Sequence, residues 1–270
     1  MRDPEPDEDL SDAAALCERL FRRWDPMFSE TVDPTRERRM DGILRSLRAH
    51  VRGPMRVLDL GSGPGTLTGR VLESFAQSRV VAVDTDPVLL RVGREALHRF
   101  GGRVLWVLAD LRKRRWTSRL PGHRCDAVVS SLALHWLEED EIRALYQDLR
   151  PLIRPGGLLI NGDFLPSSKA RGRGRAPAMD RGSKGARASL RSFRIEWEKW
   201  WTAVEEEPAM RGDLRKRRLR MPGEIPPRRT TGPKVPVSLE AHEQALRDAG
   251  FREPSVVWQD RAMRVVVALR

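Results

Sequence analysis

The most constraining feature of this sequence is the stretch Val57-Leu58-Asp59-Leu60-Gly61-Ser62-Gly63-Pro64-Gly65. Its first four residues are mostly apolar, as in a short buried strand, and glycines then stand at alternate positions. After Thr66, apolar residues return at helical spacing. Because glycine has no Cβ and tolerates positive φ, such a loop lets the backbone approach a ligand closely. The pattern predicts a strand, a glycine loop and a helix, which together open a βαβ unit.

The glycine spacing narrows the kind of ligand. A dinucleotide fingerprint, G-x-G-x-x-G, would need glycine at position 66, where the sequence has Thr66. The observed spacing is G-x-G-x-G, with Asp59 two residues before the first glycine. A second apolar run, 79–84, ends in Asp84, whose carboxylate can accept hydrogen bonds from both hydroxyls of a ribose. The two runs together predict a nucleoside-bearing ligand, and the alternative is that the glycines serve only the turn.

Together with Asp110, these motifs resemble the cofactor-binding motifs of the class I S-adenosylmethionine-dependent methyltransferases, over about residues 56–164. The resemblance implies a Rossmann-like sheet with S-adenosyl-L-methionine bound over the first glycine loop. In that family Asp84 would hold the ribose, and Asp110 with Leu111 would meet the adenine. The full set of cofactor-binding residues that we predict is Asp59, Gly61, Ser62, Gly63, Gly65, Asp84, Asp110, Leu111 and Ser130.

Strand-like and helix-like segments alternate from 56 to 160, which predicts an α/β fold with a doubly wound, mostly parallel sheet. The predicted strands are 56–60, 80–84, 104–109, 125–130 and 158–160, with a turn at 155–157 before the last. Ligands of such sheets bind at the carboxyl ends of the strands, so the acids and Ser130 should share one crevice. Phe251–Trp258 and Met263–Leu269 would add a C-terminal antiparallel hairpin, as in the methyltransferases that this chain resembles.

The segments outside this core predict four regions. Residues 1–10 are expected to be a disordered tail, followed by a helix capped by Ser11 that stops at Pro26. A second helix would begin with Asp33 as its cap and Pro34 in its first turn. The predicted regions are an N-terminal tail and helical cap (1–52), the cofactor-binding core (53–165), an insertion (166–235) and a C-terminal helix and hairpin (236–270).

The insertion combines a basic stretch with a tryptophan-rich helix. Residues 169–191 carry eight cations and one acid among small residues, which predicts a mobile loop that trypsin can cut. From Leu190 to Val204 an apolar stripe with three tryptophans predicts an amphipathic helix. We expect this helix to be a lid over the acceptor pocket, and the alternative is that it is part of the core.

Composition and charge limit the other possibilities. The 270 residues carry a formal net charge of +12, which can steer acidic metabolites or nucleic acid, or can serve solubility alone. The cysteines, Cys17 and Cys125, form no C-x-x-C pair, so neither a zinc site nor a disulfide framework is predicted. There is no apolar run long enough for a membrane span, and the acidic start does not resemble a signal peptide. We therefore expect a cytoplasmic protein without a bound metal.

The best candidate for a catalytic base is His135, five residues after the fourth strand and beside Trp136. The alternative is a structural histidine. The motif of adenine-modifying relatives, D/N-P-P-Y/F, is absent, because the sequence there is Ser130-Ser131-Leu132-Ala133.

Three classes of function stay open. The first is methyl transfer to an oxygen or nitrogen of a small acceptor, acidic or planar. The second is an RNA or tRNA methyltransferase that uses the basic segments, and the third is a non-catalytic methyltransferase-fold assembly factor. The sequence predicts the first of these and leaves the oligomeric state undetermined.

Overall fold

Seven strands form one sheet in the order β3-β2-β1-β4-β5-β7-β6. The computed structural model describes residues 6–29, 33–122, 124–168, 184–221 and 236–270. The strands are β1 (Arg56–Leu60), β2 (Arg79–Asp84), β3 (Val104–Leu108), β4 (Cys125–Ser131), β5 (Ile153–Phe164), β6 (Arg252–Asp260) and β7 (Met263–Leu269).

The first five strands are parallel to one another, whereas β7 pairs antiparallel with both β5 and β6. The prediction of a mostly parallel sheet with an antiparallel end is therefore confirmed. The strand order reverses between β1 and β4, both of which pair along their length. The carboxyl ends of β1 and β4 consequently meet at a topological switch point, where open α/β sheets bind their ligands.

Eight helices are described, and they are α1 (Pro6–Ser29), α2 (Arg36–His50), α3 (Thr66–Ser74), α4 (Pro87–Ala96), α5 (Glu139–Leu149), α6 (Lys184–Glu206), α7 (Arg211–Arg220) and α8 (Leu239–Asp248). Helices α2 and α3 bury apolar side chains against one face of the sheet, and α5 and α8 against the other. A third apolar cluster lies between α1, α4, α6 and α7. The alternating apolar residues of the strands fill both faces, as expected for parallel strands.

The N-terminal helices differ from their predicted bounds. α1 begins at Pro6 and continues through Pro26 to Ser29. The predicted disordered tail is therefore wrong for residues 6–10, and the predicted end of the helix at Pro26 is wrong as well. Burial of Trp24 and Met27 on either side of Pro26 holds this last turn despite the missing N–H. α2 begins two residues later than predicted, because the Asp33 carboxylate accepts from Thr35 N at 3.1 Å and forms a turn before the helix.

β5 is longer than predicted at both ends. It begins at Ile153, so Pro155–Gly157 is not a separate turn but a shift in register against β4, with Gly156 at φ +76°. It also continues past Ile160 to Phe164, because 161–164 pair with β7. A long-range partner strand extends this segment, and its own sequence gives no such signal.

The insertion is described only in part. Residues 169–183 and 222–235 lie outside the described residues, so most of the predicted basic loop, with its trypsin sites, is not tested here. Residues 184–191, predicted as loop, belong to α6. Among the described residues, no helix is long and apolar enough to cross a membrane.

Candidate functional site

The glycine loop joins β1 to α3 through three left-handed residues. Gly61, Gly63 and Gly65 have φ angles of +63°, +57° and +86°, values that L side chains rarely adopt. The loop is tied to the next strand, since Ser62 N donates to the carbonyl oxygen of Val83 at 3.0 Å. The amino end of α3 follows immediately, so its free N–H groups face the same edge of the sheet.

The three glycines make room for different neighbours. A Cβ at Gly61 would lie 2.3 Å from the Cβ of Ala133, and one at Gly65 would lie 2.5 Å from the Trp106 ring. At Gly63 the nearest side-chain atom, from Trp24, is 3.9 Å away. Gly63 therefore leaves space beside the loop, whereas Gly65 is needed for packing as well as for its backbone angle.

Asp84 stands at the tip of β2 and holds the loop. Its Oδ2 accepts from Gly63 N at 2.7 Å, and its Oδ1 accepts from Asp86 N at 2.9 Å. Burial raises the pKa of Asp84 to about 6, although these backbone bonds act in the opposite direction. The side chain is half-buried, so this carboxylate is available to a ligand at the crevice.

Two of the predicted cofactor residues turn into the protein instead. Asp59 is buried, its Oδ2 accepts from Thr68 Oγ1 at 2.6 Å, and burial raises the pKa of Asp59 to about 7. Ser130 is also buried and donates from Oγ to the carbonyl oxygen of Leu60 at 2.9 Å. These contacts fix α3 to β1 and β4 to β1, so both residues support the crevice from beneath.

Asp110 and Leu111 lie just beyond β3, on the same edge as Asp84, and both are half-buried. Arg112 binds Asp110 through its backbone N at 3.0 Å and through Nε at 2.9 Å. Burial opposes ionisation of Asp110, but the bonds from Arg112 hold its pKa below the usual range. The carboxylate is therefore already paired within its own turn.

His135 lies beyond β4 and pairs with Asp163, a residue that sequence reasoning missed. Its Nδ1 lies 2.7 Å from Asp163 Oδ1, and its backbone N donates to Asp163 Oδ2 at 3.1 Å. Asp163 is fully buried, which opposes ionisation, but the His135 imidazole and these bonds hold the pKa of Asp163 below its usual range. An acid near the carboxyl end of a buried strand was the available signal. The prediction that β5 stops at Ile160 left Asp163 outside the strand.

A strained backbone positions this histidine. Leu132 has φ +51°, in the left-handed region that a leucine rarely adopts, and its N donates to the carbonyl oxygen of Gly162 at 3.0 Å. The strain, which costs on the order of 1–3 kcal/mol, persists because β5 fixes the turn. This turn leads into a short 3-10 helix over 134–136, where the centre of the exposed Trp136 ring lies 5.0 Å from that of the His135 ring.

The tryptophan-rich helix is packed rather than open. Trp200 and Trp201 are buried against α1 and α4, and Trp200 Nε1 donates to the carbonyl oxygen of Leu20 at 3.0 Å. This burial favours the core alternative for these two side chains. The helix is connected to the glycine loop through α1, because Trp24 of α1 touches both Trp197 and Trp200 and also faces Gly63. The lid function stays a prediction.

Comparisons with known proteins agree with this geometry. Residues 57–157 match the family model described as a methyltransferase domain. Trans-aconitate 2-methyltransferase of Azoarcus sp. is 37% identical over 103 residues, which are 38% of this chain and 36% of that protein. Malonyl-[acyl-carrier protein] O-methyltransferase of Hahella chejuensis is 32% identical over 114 residues, 42% of this chain and 37% of that protein. The chain thus spans well under two thirds of either relative.

Solved structures extend the likeness in fold to almost the whole chain. Magnesium protoporphyrin IX methyltransferase from Synechocystis PCC 6803, solved with bound SAH, superposes with a TM-score of 0.55 at 17% identity, covering 93% of this chain and 94% of that one. At this identity the likeness concerns the fold alone. Residues 57–157 thus match a methyltransferase domain, and the strand order and the glycine loop agree with the resemblance to the class I S-adenosylmethionine-dependent methyltransferases.

Proposed function

We propose that this protein transfers a methyl group from S-adenosyl-L-methionine to an oxygen or nitrogen of a small-molecule acceptor. The observation that carries the proposal is the hydrogen bond from Gly63 N to Asp84 at 2.7 Å, because it presents a ribose-binding carboxylate directly beside the glycine loop. When bound, S-adenosyl-L-methionine supplies an activated methyl group on a sulfonium leaving group.

The residues present fit this cofactor. Gly63 leaves open space beside the loop, and Asp84 is half-buried with acceptor capacity for ribose hydroxyls. Asp110 and Leu111 lie further along the same edge, at the end of β3. We assign Gly61, Ser62, Gly63, Asp84, Asp110 and Leu111 to the cofactor site, with Asp59, Gly65 and Ser130 as its support.

His135 and Asp163 provide a base on the acceptor side. With the Nδ1 proton donated to Asp163, the imidazole keeps Nε2 free to accept a proton from a hydroxyl or amine. A carboxylic acid needs no such help, since it is ionised at neutral pH. The two relatives named above act on carboxylic acids, so acceptor chemistry decides whether His135 is a base or a structural residue.

Calorimetric titration with S-adenosyl-L-methionine tests the cofactor, and lack of binding by the folded protein would reject the proposal. Formation of S-adenosylhomocysteine with panels of carboxylic acids, phenols and amines then identifies the acceptor class. For a phenol or amine, His135→Gln should lower kcat about 10²- to 10⁴-fold with little change in KM, and for a carboxylate it should not. His98→Gln, at an exposed histidine of the short helix after α4, is the control.

The two other classes give different results in the same experiments. An RNA methyltransferase would show nucleic-acid binding that weakens steeply with salt. An assembly factor would bind cofactor and turn over no acceptor in any panel.

A further inference from the structure

Arg39 is a buried charge at the acceptor end of the crevice, and its ion pair with Asp33 uses only part of its hydrogen-bonding capacity. It lies on α2 and is fully buried. Its side chain crosses the carboxyl ends of β4 and β5, since Nε lies 3.3 Å from Ser131 Oγ and a Cβ at Gly162 would lie 3.1 Å from its Cγ. It therefore stands on the β4–β5 side, away from the glycine loop.

The hydrogen bonds of this guanidinium are incomplete. Nη1 donates to Asp33, and Nη2 is buried without a partner among the described residues. Burial lowers the pKa of Arg39 below its ordinary value, with Asp33 and Asp163 acting against that shift. An unused donor on a buried cation is costly, so one hydrogen bond of this guanidinium is left to be satisfied by a ligand or water.

Ser131 connects the guanidinium to the crevice. It is the last residue of β4 and is half-buried, whereas Arg39 behind it is not exposed at all. Because the Ser131 oxygen accepts from Arg39, its own O–H can donate to a ligand. Ser131 thus presents a hydroxyl donor at the wall of the crevice, and Arg39 lies directly behind it with one N–H donor unpaired.

A carboxylate is the group that fits such a wall. It accepts several hydrogen bonds at once, so it can take one from the Ser131 hydroxyl and a charge-assisted one from Nη2, the Arg39 nitrogen that is still unpaired. Asp163, also at this end, is paired with His135. The unpaired N–H of Arg39 therefore favours an anionic ligand over a neutral one. We propose that Arg39, with Ser131, anchors a carboxylate of the methyl acceptor, an inference that rests on the proposed function and assigns its acceptor class.

Titration of the complex with S-adenosylhomocysteine tests the proposal. The probes are malonate and trans-aconitate, with malonamide as an uncharged twin of malonate. Wild type should bind at least one of the two carboxylates and not malonamide. Arg39→Lys keeps a positive charge beside Asp33 but removes the Nη2 donor, and it should weaken carboxylate binding about 10- to 100-fold while S-adenosylhomocysteine affinity stays within about twofold.

Two further variants separate anchoring from structure. Arg70→Gln removes a partly exposed arginine of α3 that pairs with Asp25 and Glu37, and it should leave carboxylate affinity unchanged. Asp33→Asn with Arg39→Gln removes both members of the buried pair, so neither charge is left alone if Arg39→Lys does not fold. This double variant should lose carboxylate binding as well.

Three results would overturn the inference. The first is wild type that binds S-adenosylhomocysteine and neither carboxylate, which leaves the proposed function intact and removes only the anchor. The Arg39 variants could keep carboxylate affinity and lose only thermal stability, which is the result of a structural arginine. They could also lose cofactor affinity with carboxylate binding unchanged, which would assign Arg39 to the cofactor instead.

Discussion

The two ends of the crevice are built in different ways. At the β1–β2 end, the glycine loop and β2 come from one continuous stretch and are joined by loop N–H groups that donate to the Val83 carbonyl and the Asp84 carboxylate. At the β4–β5 end, Arg39, Ser131, His135 and Asp163 come from three separate parts of the chain and meet through side chains. The first end is specified by local spacing, and the second exists only when β4 and β5 are paired.

This difference predicts where substitutions act. Changes at the β1–β2 end should alter ligand binding by removing space or an acceptor, with the fold largely kept. Changes in residues that hold distant segments together should reduce stability first.

The largest effect is expected in the helical cluster beside the glycine loop. Trp201 is buried, with the Arg217 guanidinium 4.5 Å from its ring, so Trp201→Ala should lower the free energy of unfolding by about 3–5 kcal/mol. Trp136→Ala, at a 41% exposed ring, should change it by about 0.5 kcal/mol or less. Chemical denaturation measures both. A near-normal melting temperature for Trp201→Ala would restore the lid interpretation.

Asp84→Ala should weaken S-adenosyl-L-methionine binding by about 2–4 kcal/mol, because it removes an acceptor of two charged hydrogen bonds. Asp59→Asn, which keeps a partner for Thr68 beneath the loop, should change that affinity much less. Calorimetry at neutral pH compares the two. Equal affinity of wild type and a folded Asp84→Ala would remove Asp84 from the site.

Gly63→Val and Gly65→Val sharpen the comparison within one loop. Both place a branched residue at positive φ, at a cost of about 1–3 kcal/mol. Gly63→Val should abolish cofactor binding by filling the open space, with no further loss of stability. Gly65→Val should lose about 1–3 kcal/mol more, because its Cβ would overlap the Trp106 ring. Equal stability of the two variants would contradict the packing role of Gly65.

The smallest effect is a dependence of cofactor affinity on pH. Asp84 must be ionised to accept from the ribose, and its pKa is about 6, so affinity should fall by up to about tenfold per pH unit below pH 6. The effect on stability has the opposite sign. Because the folded state raises this pKa, the contribution of Asp84 to stability decreases as pH rises from about 4 to 6. Asp84→Asn should flatten both profiles, and a pH-independent affinity in wild type would contradict the assignment.

The sequence by itself determined the elements that depend on neighbours in the chain. The glycine loop and the carboxylate at the tip of β2 appear as predicted. The starts of α4 and α8 are also local, since Asp86 accepts from Val88 N and Ser238 from Ala241 N. The end of α8 follows the same rule, with Gly250 at φ +83°. Each is a contact within a few residues, so spacing alone specifies it.

Only the tertiary structure decided which way the predicted site residues face and which residues join them. Asp59 and Ser130 lie at the predicted edge, but their side chains are occupied by Thr68 and by the Leu60 carbonyl. Asp163 became a partner of His135 because β7 extends β5 by several residues, a pairing between segments about a hundred positions apart. Such contacts depend on strand register and on burial from both sides, and no local pattern in the sequence encodes either.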